Sequence, residues 1–242
     1  GAIQRLALVK PGDSRGGMRL LKHPCSRLPG ATDPTGRTVQ TILVADDHPM
    51  FRAAVLHALR EALPDGRMLE VASQSAVEAA LADEAVIDLV LLDLAMPGAM
   101  GFSSLVLLRG ERPEVPVIVI SSNDHPRTVR RAQQFGAAGF VSKSAPVGAL
   151  GAAVHEVLAG GSWFPAEKAE RSEDDAALAS RLAQLTPQQL RVLMLLAEGL
   201  LNKQIADQLG LAENTVKIHV TAVLKKLDCR SRTQAAVLAK SL

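Results

Sequence analysis

From Thr41 onward the chain alternates short apolar runs with longer stretches of helical patterning. Five runs stand out: Thr41–Ala45, Met68–Ala72, Ile87–Leu92, Val115–Ile120 and Gly139–Ser142. The two most apolar, around Val90 and Val117, are continuous rather than alternating, as strands covered on both faces require. Between them, Met50–Leu63, Ser75–Asp83, Pro126–Phe135 and Val147–Leu158 carry helical spacing. Strands alternating with helices predict an α/β, doubly wound, five-stranded parallel sheet. Right-handed crossovers then bring the carboxyl ends of all five strands to one edge, where such sheets bind ligands.

The pattern changes twice more. Glu167 to Ser180 is polar and acidic and reads as an interdomain linker, partly helical. A small all-α block follows from Leu185, with helices predicted over Thr186–Glu198, Asn202–Leu209, Glu213–Leu227 and Thr233–Lys240 and turns at Gly199 and Gly210. Residues 1–38 are rich in Gly, Pro, Ser and Arg without lasting periodicity, and read as a disordered basic leader. Met18 would serve as an alternative start, and a basic arm on DNA phosphates is the lesser reading of the leader. The expected division is leader 1–38, first domain 39–165, linker 166–183 and second domain 184–242.

Net charge is +2, from 27 Lys and Arg against 25 Asp and Glu. The sum hides an asymmetry: residues 39–165 hold nine basic against fourteen acidic side chains, and residues 184–242 hold eight against four. An acidic part for chemistry or sensing and a basic part for an anionic partner is the reading this suggests. Aromatics make up only 2% of the chain, which argues against a base-stacking platform for single strands. No run of eighteen apolar residues suggests a membrane-spanning helix, and the first residues lack the pattern of a signal peptide. Cys25 and Cys229 make no metal-ligand spacing, and a cytoplasmic location is expected.

The chemistry gathers at the strand ends. The first strand runs into Asp46 and Asp47, the third into Asp93, the fourth into Ser121 and the fifth into Lys143. A lone aspartate at a strand end is ordinarily a cap or a solvated loop residue. Three carboxylates at one edge repel unless a cation shares the site, and a hard divalent ion such as Mg²⁺ suits oxygen ligands that must also accept phosphate. Asp93 is then the candidate phosphoryl acceptor, with Lys143 and Ser121 placed for the incoming phosphoryl oxygens.

The strings ILVADDHPMFR, LVLLDLAMPGAMG, VIVISSND and GFVSK resemble the flavodoxin-like receiver domain of two-component response regulators. With the helical block, the resemblance is to the NarL/LuxR type and covers about residues 40–242. It implies that Asp93 is the phospho-acceptor and that Asp46 and Asp47 hold Mg²⁺ with Asp93 and the Ala95 backbone carbonyl. It implies further that Ser121 and Lys143 bind phosphate, with Phe140 as the switch aromatic. His48 is expected to be structural or solvent-facing, not a metal ligand. The phosphoryl donor implied is a phosphohistidine on a sensor kinase.

In the helical block, Asn202–Leu209, a turn at Gly210 and Glu213–Leu227 read as helix-turn-helix. Val216, Val220, Val223 and Leu227 line one face of the second helix, opposite a free face of Asn214, Lys217, Ile218, Thr221 and Lys225. The block resembles the LuxR-type helix-turn-helix, including its TVKIHV and RSRTQA strings. That likeness implies base contacts from Lys217, Ile218 and Thr221 on double-stranded DNA. It implies phosphate contacts from Asn202, Lys203, Thr215, His219, Lys225 and Arg232, and a homodimer joined through Val237 and Leu238. Two positions depart from the family: Gln189 stands where Glu is usual, and Ala212 where Ser commonly caps the second helix.

The expected protein is a phosphorylation-controlled transcription regulator, not an enzyme. Two other readings compete with it. A receiver working without phosphorylation is disfavoured by the complete site. A phosphatase of the haloacid-dehalogenase type needs a second Asp two residues after the nucleophile, where this chain has Ala95. The resemblance further implies that the unphosphorylated receiver covers the recognition helix, a contact the opposite charges of the two domains would favour.

Overall fold

A computed structural model describes residues 39–83, 86–165 and 173–242. The leader 1–38, with Met18 and Cys25, lies outside the described residues. Five strands appear, β1 (Thr41–Ala45), β2 (Arg67–Val71), β3 (Leu89–Asp93), β4 (Val117–Ser121) and β5 (Gly139–Ser142). They form one parallel sheet in the order β2-β1-β3-β4-β5. Around them lie α1 (Pro49–Ala62), α2 (Gln74–Asp83), α3 (Ser103–Glu111), α4 (Pro126–Gln134) and α5 (Val147–Leu158). The β3 and β4 boundaries fall later than expected, so that Asp93 and Ser121 are the terminal strand residues themselves.

Alternation sorts the buried side chains by face. Ile42, Val44, Leu89, Leu91, Ile118 and Ile120 pack with Val55 and Leu59 of α1 and Val154 of α5. Leu43, Val90, Leu92, Val117, Val119 and Phe140 pack with Val77 of α2, Leu105 of α3 and Ala132 of α4. With both faces covered, β1, β3 and β4 are buried at every position. The strand order reverses between β1 and β3, and their carboxyl ends open the crevice used by the site.

The helical part comprises α6 (Glu173–Leu182), α7 (Pro187–Ala197), α8 (Asn202–Leu209), α9 (Glu213–Lys226) and α10 (Arg232–Lys240). The stretch expected to be a linker without an apolar stripe thus contains α6. Leu182 is buried, and Leu178 and Ala179 pack against the same core cluster, because Leu178 and Leu182 recur one helical turn apart. Thr186 and Gln189 form a reciprocal capping box at the start of α7. Gly210 ends α8 in the left-handed conformation, with φ of 65°. Ala212 takes the N-cap position of α9 with no side-chain bond.

Candidate functional site

The loops after β1, β3 and β5 converge. Lys143 Nζ lies 2.6 Å from Asp46 Oδ2 and 2.7 Å from Asp93 Oδ2. Asp46 and Asp93 are 3% and 2% exposed. Burial pulls the Lys143 ammonium down, but the Asp46 and Asp93 carboxylates outweigh it and hold its pKa above the ordinary lysine value. The same ammonium lies 4.7 Å from the centre of the Phe51 ring. Each carboxylate is also aimed by the backbone: the Ala95 N–H donates to Asp93 Oδ1 at 3.1 Å, and the His48 N–H to Asp46 Oδ1 at 2.7 Å. Arg52 donates to the Asp46 carbonyl at 2.6 Å and fixes the β1–α1 turn.

Two buried carboxylate oxygens, Asp46 Oδ2 and Asp47 Oδ1, receive no hydrogen bond and have only ion-pair neighbours. Donor atoms of Asp46, Asp47, His48 and Asp93 lie within 4.8 Å of one another. An oxygen-rich set in which three carboxylates outnumber the single lysine beside them fits a hard divalent cation. His48 joins this edge more closely than expected. Its Nδ1 sits 2.8 Å from Asp47 Oδ1, 3.5 Å from Asp46 and 3.8 Å from Asp93, although the side chain remains 62% exposed. The backbone turn after Asp47 brings it there, a proximity that strand patterning does not encode.

Ser121 is buried, and its Oγ accepts the Asn123 N–H at 3.1 Å, leaving the hydroxyl proton free to donate. The Lys143 N–H donates to the Ser121 carbonyl at 2.8 Å, tying the ends of β4 and β5 together. Phe140 pairs with Val119 across β4 and β5 and is almost wholly buried in the cluster shared by α2, α3 and α4.

At the helix-turn-helix, Val216, Val223 and Leu227 are buried, and Val220 packs against the cluster that holds Val216. Ile218 is 63% exposed, and Lys217, Thr221 and Lys225 are exposed with it. Lys217 pairs with Glu213 at 3.1 Å, and the Thr221 hydroxyl donates to the Lys217 carbonyl at 2.9 Å. Lys203 is exposed, and Thr215 and His219 are half-buried at the edge of this face. Arg232 donates to Asn202 Oδ1 at 2.9 Å and also to the Leu200 carbonyl, so these two predicted phosphate contacts are bound to each other. Lys226 donates to Gln189 Oε1 at 2.8 Å. On α10, Val237 is exposed and Leu238 packs against the core. The expected receiver lid over this face is not what the fold shows: the receiver meets α6, α7 and the residues after α10, and the face of α9 stays open.

Fold and edge together define a response-regulator architecture, one α/β module for input and one helix-turn-helix module for output. Residues 42–155 match the response regulator receiver domain, and residues 183–239 the bacterial regulatory proteins of the luxR family. The chain is 37% identical over 207 residues to the glycerol metabolism activator of Pseudomonas putida, covering 82% of this chain and 94% of that one. It is 37% identical over 202 residues to the nitrate/nitrite response regulator protein NarL of Escherichia coli K12, covering 81% and 93%. Its fold is similar to a solved structure of two RcsB dimers bound to two parallel DNAs, with a TM-score of 0.51 at 21% identity over 85% of this chain and all of that one. The chain belongs to the NarL/LuxR family of DNA-binding two-component response regulators. Among the described residues no helix is long and apolar enough to cross a membrane.

Proposed function

We propose that this protein accepts a phosphoryl group on Asp93 from a phosphohistidine of a sensor kinase and then binds double-stranded DNA as a homodimer, in the cytoplasm. The observation that carries the reading is the Lys143 ammonium held at 2.6 and 2.7 Å between the Asp46 and Asp93 carboxylates. A carboxylate oxygen of Asp93 forms the new O–P bond as the P–N bond to the kinase histidine breaks, and the departing imidazole keeps the electron pair. Lys143 neutralises charge on the phosphoryl oxygens, and the Ser121 hydroxyl donates to one of them. Asp46, Asp47, Asp93 and the Ala95 carbonyl would hold Mg²⁺, which when bound neutralises phosphoryl charge and favours in-line transfer. Ala95 offers no acid for rapid hydrolysis, so the role is regulatory rather than enzymatic.

The proposed units are a receiver over 39–165, a linker over 166–183 that includes α6, and a DNA-binding domain over 184–242. Lys217, Ile218 and Thr221 read base edges, while Asn202, Lys203, Thr215, His219, Lys225 and Arg232 meet phosphates. Val237 and Leu238 join two copies, and Phe140 follows Ser121 when Asp93 is loaded. The test is incubation with a small phosphodonor and Mg²⁺, read by intact mass and by DNA binding. One added phosphoryl group, lost in Asp93→Ala and in EDTA, with tighter DNA binding, supports the reading. A stoichiometric adduct retained in Asp93→Ala overturns it.

A further inference from the structure

His48 meets the acidic edge twice. Its backbone N–H donates to Asp46 Oδ1 at 2.7 Å, which fixes the start of the side chain. Its ring then turns toward all three carboxylates: Nδ1 lies 2.8 Å from Asp47 Oδ1, 3.5 Å from Asp46 Oδ1 and 3.8 Å from Asp93 Oδ2. No hydrogen bond joins even the nearest pair, and Asp47 Oδ1 is a buried oxygen that receives none. Spacings of this size separate neighbouring ligands around an ion with bonds near 2.1 Å, about 3.0 Å in an octahedron and about 3.4 Å in a tetrahedron. One donor atom from each of Asp46, Asp47, His48 and Asp93 falls within 4.8 Å of all the others.

A nitrogen changes what this edge selects. Mg²⁺ takes oxygen ligands and keeps several waters, which leaves positions for a phosphoryl oxygen. Imidazole instead suits borderline ions such as Zn²⁺, which Mg²⁺ cannot match at a nitrogen donor. Four protein donors also complete the shell of such an ion, and a closed site offers no position to an incoming group. The dication and the Lys143 ammonium together neutralise the three carboxylates, so the buried edge carries no uncompensated charge. With the His48 side chain 62% exposed, an ion reaches the ring from solvent.

We propose that His48 makes the acidic edge a second kind of metal site, in which Asp46, Asp47, His48 and Asp93 hold a zinc-class ion that excludes Mg²⁺ and blocks phosphoryl uptake. The ion site stands apart from the reading of Asp93 as phosphoacceptor; the block on uptake rests on that reading. His48 is thus the residue that sets which ion the edge prefers. The other histidine–carboxylate pair on α1, His57 and Glu61 at 3.5 Å, offers only two donors, both exposed, and serves as the internal control.

The test titrates the metal-free full chain with Zn²⁺ by calorimetry and with Co²⁺ by visible absorption, each alone and against Mg²⁺, in wild type, His48→Ala and His57→Ala. His48→Ala retains the backbone N–H that aims Asp46, so the carboxylates keep their places. Losing the outer partner of a metal ligand already costs about 10–100-fold in affinity, and losing the ligand costs no less. Expected is a fall of at least about tenfold in the ratio of Zn²⁺ to Mg²⁺ affinity in His48→Ala and none in His57→Ala. The strong absorption of four-coordinate Co²⁺ should disappear in His48→Ala alone. An unchanged ratio in His48→Ala, or a loss confined to His57→Ala, would overturn the ion site. Phosphoryl uptake from a small phosphodonor in Mg²⁺, read by intact mass, should be suppressed by added Zn²⁺ in wild type and suppressed far less in His48→Ala. Undiminished uptake by zinc-loaded wild type would overturn the block. No uptake by wild type in Mg²⁺ without Zn²⁺ counts against Asp93 as phosphoacceptor, while the titrations still decide the ion site.

Discussion

Lys143 and Asp93 are fifty residues apart in the chain and meet in a 2.7 Å hydrogen bond at the carboxyl edge of the sheet. Lys143 places the same ammonium 2.6 Å from Asp46, so one cation offsets two buried anions. Lys143→Met leaves both uncompensated and should cost about 3–5 kcal/mol of stability. Saturating Mg²⁺ should recover part of the loss. Thermal denaturation of wild type and variant, in EDTA and in Mg²⁺, measures both effects.

The same pair sets a pH dependence. The folded-state pKa of Lys143 lies above its ordinary value, so its stabilisation is fully present at neutral pH. It is lost only as alkaline pH rises from the ordinary lysine value through the raised one. Denaturant midpoints of wild type and Lys143→Met should therefore converge at strongly alkaline pH. A gap that widened there would contradict the assignment.

Ala212 gives α9 no side-chain cap although its backbone is extended, with φ of −71° and ψ of 142°. Ala212→Ser should stabilise the helical domain by about 0.5–2 kcal/mol. Chemical denaturation followed by circular dichroism checks this.

Lys217 and Lys225 both lie on the open side of α9 but should differ in effect. Lys217→Ala should lower specific affinity by about 1–3 kcal/mol and reduce discrimination between sites. Lys225→Ala should weaken all duplexes alike and reduce the salt slope by about one. Titrations of specific and unrelated duplexes over a range of salt separate the two.

Burial pushes the Cys229 thiol above its ordinary pKa, the nearby Arg181 opposing and Asp228 reinforcing the shift. Less thiolate at neutral pH means slower alkylation. Iodoacetamide should modify native Cys229 more slowly than the denatured chain, as mass spectrometry can follow.

The sheet was legible because continuous apolar runs around Val90 and Val117 have few alternatives once helices alternate with them. Asp46, Asp93, Ser121 and Lys143 were legible because parallel topology carries every strand end to one edge. The packing of α6 was less so: Leu178 and Leu182 make a short stripe inside an acidic segment, and the surface it covers is a cluster assembled from the receiver and the C-terminal helices together. The approach of His48 to Asp47 depends on a turn, and the grip of Phe102 on Leu242 joins residues 140 positions apart. Neither leaves a periodic signature. The open side of α9 could be drawn from Val216, Val220, Val223 and Leu227, but whether the receiver covered it could not, since complementary charge does not fix where two surfaces meet.

The bond between Arg232 and Asn202 bears on how the protein would grip a phosphate. An arginine side chain gives up about 1.5–2 kcal/mol of rotamer entropy when it is fixed. Arg232 gave up much of that on folding, when Asn202 and the Leu200 carbonyl took its guanidinium. Lys203 and Lys225 stay exposed and must surrender their freedom at the DNA itself. If these residues meet phosphates as proposed, Arg232 would be a preset anchor at low entropic cost, and the lysines would be adaptable contacts whose strength declines more steeply on warming.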